Sequence, residues 1–264
     1  MAVKEAEPRR PVPQRESTTK SVGKIIAVAS GKGGVGKSTV TANLAVTLRD
    51  MGYRVGILDA DIYGPSQPKM FALEGYVPDA VQQDGLDYIV PAQSADIELM
   101  SIGFFIRPDD ALMWRGAMAT NALKQLLHQT MWGGLDFLLI DMPPGTGDVP
   151  LTVFQSIKLD GIIIVTSPQD LVSMIVEKAV KMANKMNIRI YGVVENMSYI
   201  VCPDCGKHIE IFGSGKVDKV AKDFDLKVLG KLPMDQKVAF AVDNGDVEIL
   251  STDGLKAALD EIEN

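Results

Sequence analysis

Ten residues constrain this chain more than any others: Ser30-Gly-Lys-Gly-Gly-Val-Gly-Lys-Ser-Thr39. Gly31, Gly36, Lys37 and Ser38 fit the spacing G-x-x-x-x-G-K-[ST], which makes a phosphate-binding loop when a strand precedes it and a helix follows. The flanks supply both. Residues 24–30 are a short apolar run of the kind buried in parallel sheets, and residues 37–50 repeat Val40, Leu44, Ala45 and Leu48 at helical spacing. Gly31, Gly33, Gly34 and Gly36 let backbone N–H groups turn inward and approach a polyphosphate closely, with Val35 inside the loop and Thr39 just past it. The helix then directs its positive end at the phosphates. Lys37 is expected to reach the β and γ oxygens, and the Ser38 hydroxyl to ligate Mg²⁺.

Strand-like and helix-like runs alternate along the rest of the chain, which predicts an α/β fold: an open, mostly parallel twisted sheet with helices on both faces. The chain has 264 residues, 46% of them hydrophobic and 23% charged, enough for one sizeable core. The expected division is a flexible tail over residues 1–23, proline- and arginine-rich and without periodicity, and a single phosphate-binding domain over 24–264. Through Lys24 the chain carries six basic and three acidic side chains, so the formal net charge of -7 leaves about -10 for the body. That balance argues against nucleic acid as a partner, because phosphate contacts need clustered Lys and Arg. No apolar run approaches the ~20 residues needed to span a bilayer, and no apolar signal segment opens the chain. The final helix is acidic where a membrane-surface helix would be basic. A cytoplasmic protein without a membrane partner is the expectation.

Acids follow the strand-like runs. Residues 54–59 lead into Asp59-Ala-Asp61-Ile-Tyr-Gly-Pro-Ser66, and residues 135–141 contain four consecutive apolar residues, 137–140, followed by Asp141. Ligands of open α/β sheets bind beyond the carboxyl ends of the strands, which puts these acids beside the phosphates. One carboxylate of the Asp59/Asp61 pair is expected to orient the attacking water while the other supports the ion or caps the loop. Asp141 is the candidate for holding Mg²⁺ through water. Gly145 and Gly147, in Met142-Pro-Pro-Gly-Thr-Gly-Asp148, permit a loop that senses the terminal phosphate. Asn196 follows another strand directly and suits either the edge of an adenine ring or a turn.

Two cysteines lie three positions apart in Cys202-Pro-Asp-Cys205-Gly-Lys-His208. Such a knuckle offers two thiolates to one tetrahedral ion, which is half a site. His208 is a further candidate ligand, and no fourth is evident. Two-fold symmetry is the economical completion, since a homodimer places four thiolates on its axis. That set fits either Zn²⁺ or a [4Fe-4S] cluster.

Together these blocks resemble the Mrp (ApbC-like) iron-sulfur carrier ATPases, within the MinD and ParA class. The resemblance covers about residues 23–245. It rests on the glycine loop, 58–66, Trp114-Arg-Gly, 141–148, Pro168-Gln169, Glu195-Asn-Met-Ser198 and the cysteine knuckle with Ile211-Phe-Gly213. It implies that Lys32, the second lysine of the loop, contacts the nucleotide of the opposite subunit, and that Asp61 carries the hydrolytic role. It further implies an ATP-dependent homodimer that binds a [4Fe-4S] cluster between subunits and passes it to apo-proteins, with slow, switch-like hydrolysis. A second cluster, of the kind held by an additional cysteine-rich N-terminal segment, is not expected. Two relatives of that class define the alternatives: a positioning ATPase like MinD or ParA with structural zinc, or an electron-transfer ATPase like the nitrogenase iron protein.

Overall fold

The computed structural model describes residues 18–105, 117–145, 147–168, 172–213, 216–250 and 253–263. Its frame follows from four apolar runs too short for helices. They form β1 (Lys24–Ser30), β2 (Val55–Asp59), and later β7 (Phe137–Asp141) and β8 (Gly161–Thr166). In a strand successive side chains point to opposite faces, yet β2, β7 and β8 are buried at every position and β1 at every position after Lys24. Both faces of the sheet are therefore covered, the condition under which parallel strands become continuously hydrophobic. The cover includes α1 (Lys37–Asp50), packed on β1, β2, β7 and β8.

Between β2 and β7 lie α2 (Gln67–Met70), the hairpin β3 (Ala80–Gln83) and β4 (Leu86–Ile89), then β5 (Ala92–Ser94), β6 (Ile97–Ser101) and α3 (Ala117–Gln129). After β7 come α4 (Asp148–Ser156), β8, α5 (Val172–Lys185), β9 (Ile190–Val201), β10 (His208–Ile209), α6 (Lys216–Asp223), β11 (Val228–Pro233), α7 (Gln236–Asn244) and α8 (Lys256–Glu263). Among the described residues the main sheet has nine strands in the order β10-β9-β8-β1-β7-β2-β6-β5, with β11 also on β9. Pairing is parallel except β5 with β6 and β10 with β9. The chain thus leaves β1 for β2 and β6 on one side, returns to β7, and crosses to β8, β9 and β11 on the other. Such a reversal of strand order opens a crevice at the carboxyl ends, beside β1.

The structure extends the expected elements in places. Residues 18–23 fall within the segment expected to be tail, yet Thr18–Ser21 forms a 3-10 helix, and Gly23 N and Lys24 N donate to Leu135 O and Asp136 O at 2.9 Å each. The rest of that segment, like the Trp114-Arg-Gly block, lies outside the described residues. β9 runs six residues beyond the Glu195 at which its apolar run ends, because β11 and β10 supply hydrogen-bonding edges to its distal part. The acidic final helix α8 buries Ala258, Leu259 and Ile262, and Lys24 Nζ donates to its last carbonyls, Ile262 O at 2.7 Å and Glu263 O at 2.9 Å. A cation at a helix carboxyl end is favourable, so this acidic helix is fastened to the start of the central strand. No described helix is long and apolar enough to cross a membrane.

Leu139 sits in β7 with Ile26 of β1 and Ile57 of β2 in register on either side, and all three are fully buried. Leu139→Ala should cost about 2–5 kcal/mol, read as a lower urea midpoint with an unchanged denaturant slope. A midpoint equal to wild type would show that the centre of the sheet is not close-packed.

Candidate functional site

The carboxyl ends of β1, β7, β2 and β6 are neighbours, and register alone brings their polar residues together, Ser101 beside Asp59 and Asp59 beside Asp141, with Val28 of β1 on the other side of Asp141. The glycine loop leaves β1 directly above them. Lys37, at the first turn of α1 and 6% exposed, donates to Asp141 Oδ1, lies 3.3 Å from Ser38 Oγ and is 3.9 Å from Asp61 Oδ2. Lys37, Ser38, Asp61 and Asp141 are thus gathered at one place, as their positions after the strands require.

Asp59 and Asp141 are fully buried. Burial first, and the neighbouring Asp141 second, push the Asp59 carboxyl up to about 7, against the pull of Lys37. Asp59 is held by donors: Asp61 N at 3.1 Å on Oδ1, Gln67 N and Ser101 Oγ at 3.1 Å each on Oδ2. It therefore braces the loop over residues 60–66 instead of facing outward. Asp61 is partly accessible, and its carboxyl is also raised, chiefly by burial.

Gln67 is the residue that the sequence reading missed. Its side chain is fully buried, and Nε2 donates to Ser38 O at 3.1 Å and Asp141 Oδ2 at 2.9 Å. Both partners are pure acceptors, so they fix which end of the amide is nitrogen. Its Oε1 is buried and finds no hydrogen-bond partner among the described residues. The one signal available was its place directly after the Asp59-to-Ser66 turn.

Asn196 reaches the loop from β9. Its Nδ2 donates to Val35 O at 3.0 Å, and a Cβ on Gly36 would lie 2.1 Å from that nitrogen. Gly36 also has φ +78°, so this glycine answers both a left-handed backbone and a lack of space. Gly34 shares that φ with open space around it, as a loop that receives a ligand requires. Lys32 and Gly33 lie in the same turn, between Gly31 and Gly34.

The oxygen-only set of Ser38 and Asp141 is the hard-donor chemistry that Mg²⁺ prefers. The ammonium of Lys37 already touches both side chains, so the pocket accommodates positive charge there. The residues present fit the ion.

The cysteines form a separate site at the turn between β9 and β10. Cys202 N donates to Lys207 O and Gly206 N to Cys202 O, both at 2.9 Å, and Gly206 takes φ +71° to close the knuckle. Cys202 is half-buried, Cys205 is exposed, and both are free thiols. Backbone N–H groups of Cys205 and then Asp204 point at the Cys202 sulfur and hold its thiol below the usual range. Hydrogen bonds to sulfur that favour thiolate are what a metal or cluster ligand needs. His208 is stacked on Tyr199, with centroids 4.0 Å apart and planes at 15°. Among the described residues no group of three or more His, Cys, Asp or Glu side chains could hold a metal ion, and the knuckle brings two thiols together within one chain.

The family described as "ParA: NUBPL iron-transfer P-loop NTPase" matches residues 21–263. The chain belongs to this family of P-loop NTPases. It is 48% identical over 228 residues to an iron-sulfur cluster carrier protein of Aquifex aeolicus, covering 86% of this chain and 62% of that one. A relative of the same description from Pyrococcus furiosus is 49% identical, with 83% and 77% covered. The chain thus spans under two thirds of the Aquifex relative's length. Among solved structures, a nucleotide-binding protein of Archaeoglobus fulgidus in complex with ADP is 41% identical with a TM-score of 0.79, covering 90% of this chain and 93% of that one. The cell division ATPase MinD of Pyrococcus furiosus, 21% identical with a TM-score of 0.65 over 91% and 98% of the two chains, shares the fold.

The contact between β9 and the P-loop gives a test. Asn196→Ala should weaken ADP binding about five- to tenfold, the scale of one lost hydrogen bond, and Gly36→Ala should weaken it further. The double variant should fall short of the summed effects, because both act through one contact. Strict additivity by titration calorimetry would show that Asn196 does not support the loop.

Proposed function

We propose that the protein is an ATP-hydrolysing iron-sulfur cluster carrier, a cytoplasmic homodimer that holds a [4Fe-4S] cluster between subunits and delivers it to apo-proteins. The observation that carries this is the exposed knuckle of Cys202 and Cys205, with N–H groups aimed at the Cys202 sulfur, on a P-loop NTPase body. The names of the relatives support the same reading. One domain over 24–264 carries both sites.

ATP is the substrate at the first site. The backbone of Gly31 to Gly36 wraps its phosphates, Lys37 neutralises the β and γ oxygens, and Thr39 follows Ser38 at the start of the helix. Ser38 and Asp141 would hold Mg²⁺, which supplies charge neutralisation at the phosphates when bound. Asp61, beside Lys37 and partly accessible, orients the attacking water. Asn196 supports the loop through Val35 and adds a contact to the adenine edge. Lys32 reaches the nucleotide of the partner subunit and so ties nucleotide to dimer geometry. At the second site each chain offers two thiolates, and a symmetric pair completes the four that a [4Fe-4S] cluster takes. The cluster is cargo, and the exposed knuckle leaves it accessible to a recipient.

Anaerobically purified protein reconstituted with iron and sulfide should contain about four irons and four sulfides per dimer, and the Cys202→Ser, Cys205→Ser double variant should contain neither. One zinc per dimer without sulfide, persisting after reconstitution, would sink the carrier reading and make the knuckle a structural clasp.

A further inference from the structure

We infer that Gln67 is a positioning residue for the Mg²⁺-nucleotide site, one that locks Asp141 to the P-loop and makes its orientation depend on the loop that carries Asp61. This rests on the reading of the P-loop as an ATP site and adds to it a residue outside the motif.

Three observations converge. A single amide nitrogen bridges the Ser38 carbonyl and Asp141 Oδ2, so the backbone of one candidate ion ligand and the side chain of the other are tied at one atom. The same residue donates its backbone N–H to Asp59 Oδ2, which also receives Ser101 Oγ, while Asp59 Oδ1 receives Asp61 N. The loop over 60–66 is therefore pinned at both ends to one buried carboxylate, and Gln67 begins where that loop ends. Finally, Asp141 divides its oxygens: Oδ1 faces Lys37, with Thr41 Oγ1 at 3.5 Å, and Oδ2 faces Gln67. The amide is the donor on the Oδ2 side and there opposes rotation of the carboxylate about its own bond. Outer partners that orient a ligating carboxylate typically matter by 10- to 100-fold in metal affinity or activity. Because Pro68 follows and α2 packs on α1, β6 and α7, Gln67 is held at the first position of its own element, directly after the 60–66 loop.

The test compares wild type with Gln67→Met, which keeps length and apolar bulk but removes both donated bonds, and Gln67→Asn, which keeps an amide too short to span its acceptors. Binding of a fluorescent ATP analogue is measured in EDTA and along a Mg²⁺ titration, with steady-state kcat and KM and the melting temperature of nucleotide-free protein alongside. Both variants should bind the analogue in EDTA within about twofold of wild type. The Mg²⁺ midpoint should rise about tenfold or more, and kcat should fall by a similar factor with little change in KM. An unchanged Mg²⁺ midpoint would overturn the inference. An equal loss of affinity with and without Mg²⁺, or failure of both variants to fold, would also overturn it by showing that Gln67 is a core support. Wild-type protein that binds no analogue in either condition would instead remove the ATP-site reading itself, a result distinct from all of these.

Discussion

The structure depends on how one buried ammonium is shared among carboxylates at the carboxyl ends of β2 and β7. Lys37 touches Asp141 and lies near Asp61, while Asp59 stands beside Asp141 in the adjoining strand. Buried charge is tolerated only when paired and hydrogen-bonded. Three acids surround one lysine, and the Asp59 carboxyl is raised to about 7, by burial first and by Asp141 second. The remaining demand is met by fixed donors: Ser101, Gln67 and two backbone N–H groups. Everything that shapes the site, including the start of α1, the 60–66 loop and the strand ends, is fastened to these oxygens.

This dependence explains why so much of the fold was legible from sequence. A sheet buried on both faces needs unbroken apolar runs, and β1, β2, β7 and β8 announce themselves that way, each followed by a loop or an acid. The glycine loop was equally plain, because positive φ at Gly34 and Gly36 leaves a composition that few other turns require. The acids could be placed without coordinates, since strand direction alone carries Asp59 and Asp141 to the same edge.

What escaped was set by partners distant in sequence. Gln67 looks like an ordinary polar residue before a proline, and its burial comes from Ser38 and Asp141, 29 and 74 positions away. Asn196 could be ranked as a candidate but its contact could not, because Val35 lies 161 positions away. α7 carries little periodic signal because it buries little of its own surface, Ala241 above all, and it is specified by an Asp235 cap that accepts from Lys237 N and by Gly245 at its end. Local pattern reports local periodicity, and it is silent on which polar side chain a tertiary contact will bury.

β9 is where the two sites meet. It carries Asn196, which holds the P-loop at Val35, and six residues later reaches Cys202, a span of about 20 Å if extended. Between them Met197 takes φ +58°, and the pairing with β11 shifts register between Lys231 and Pro233, opposite Glu195 and Tyr199. A non-glycine residue in the left-handed region is costly and persists only where its surroundings impose it. Here Ser198 Oγ donates to Glu195 Oε2 at 2.6 Å, and Met234 N to Tyr199 O at 2.8 Å, bracketing the irregular residue on both sides. The path from nucleotide loop to cysteine knuckle is therefore one strand with one defined kink, clamped at each end. Asn196, bonded to Val35, lies on the near side of that kink, and the knuckle follows on its far side. Up to Glu195 the strand is bonded to β8 and β11, and from Tyr199 onward to β11 and β10, so the irregular residue falls where the pairing with β8 ends.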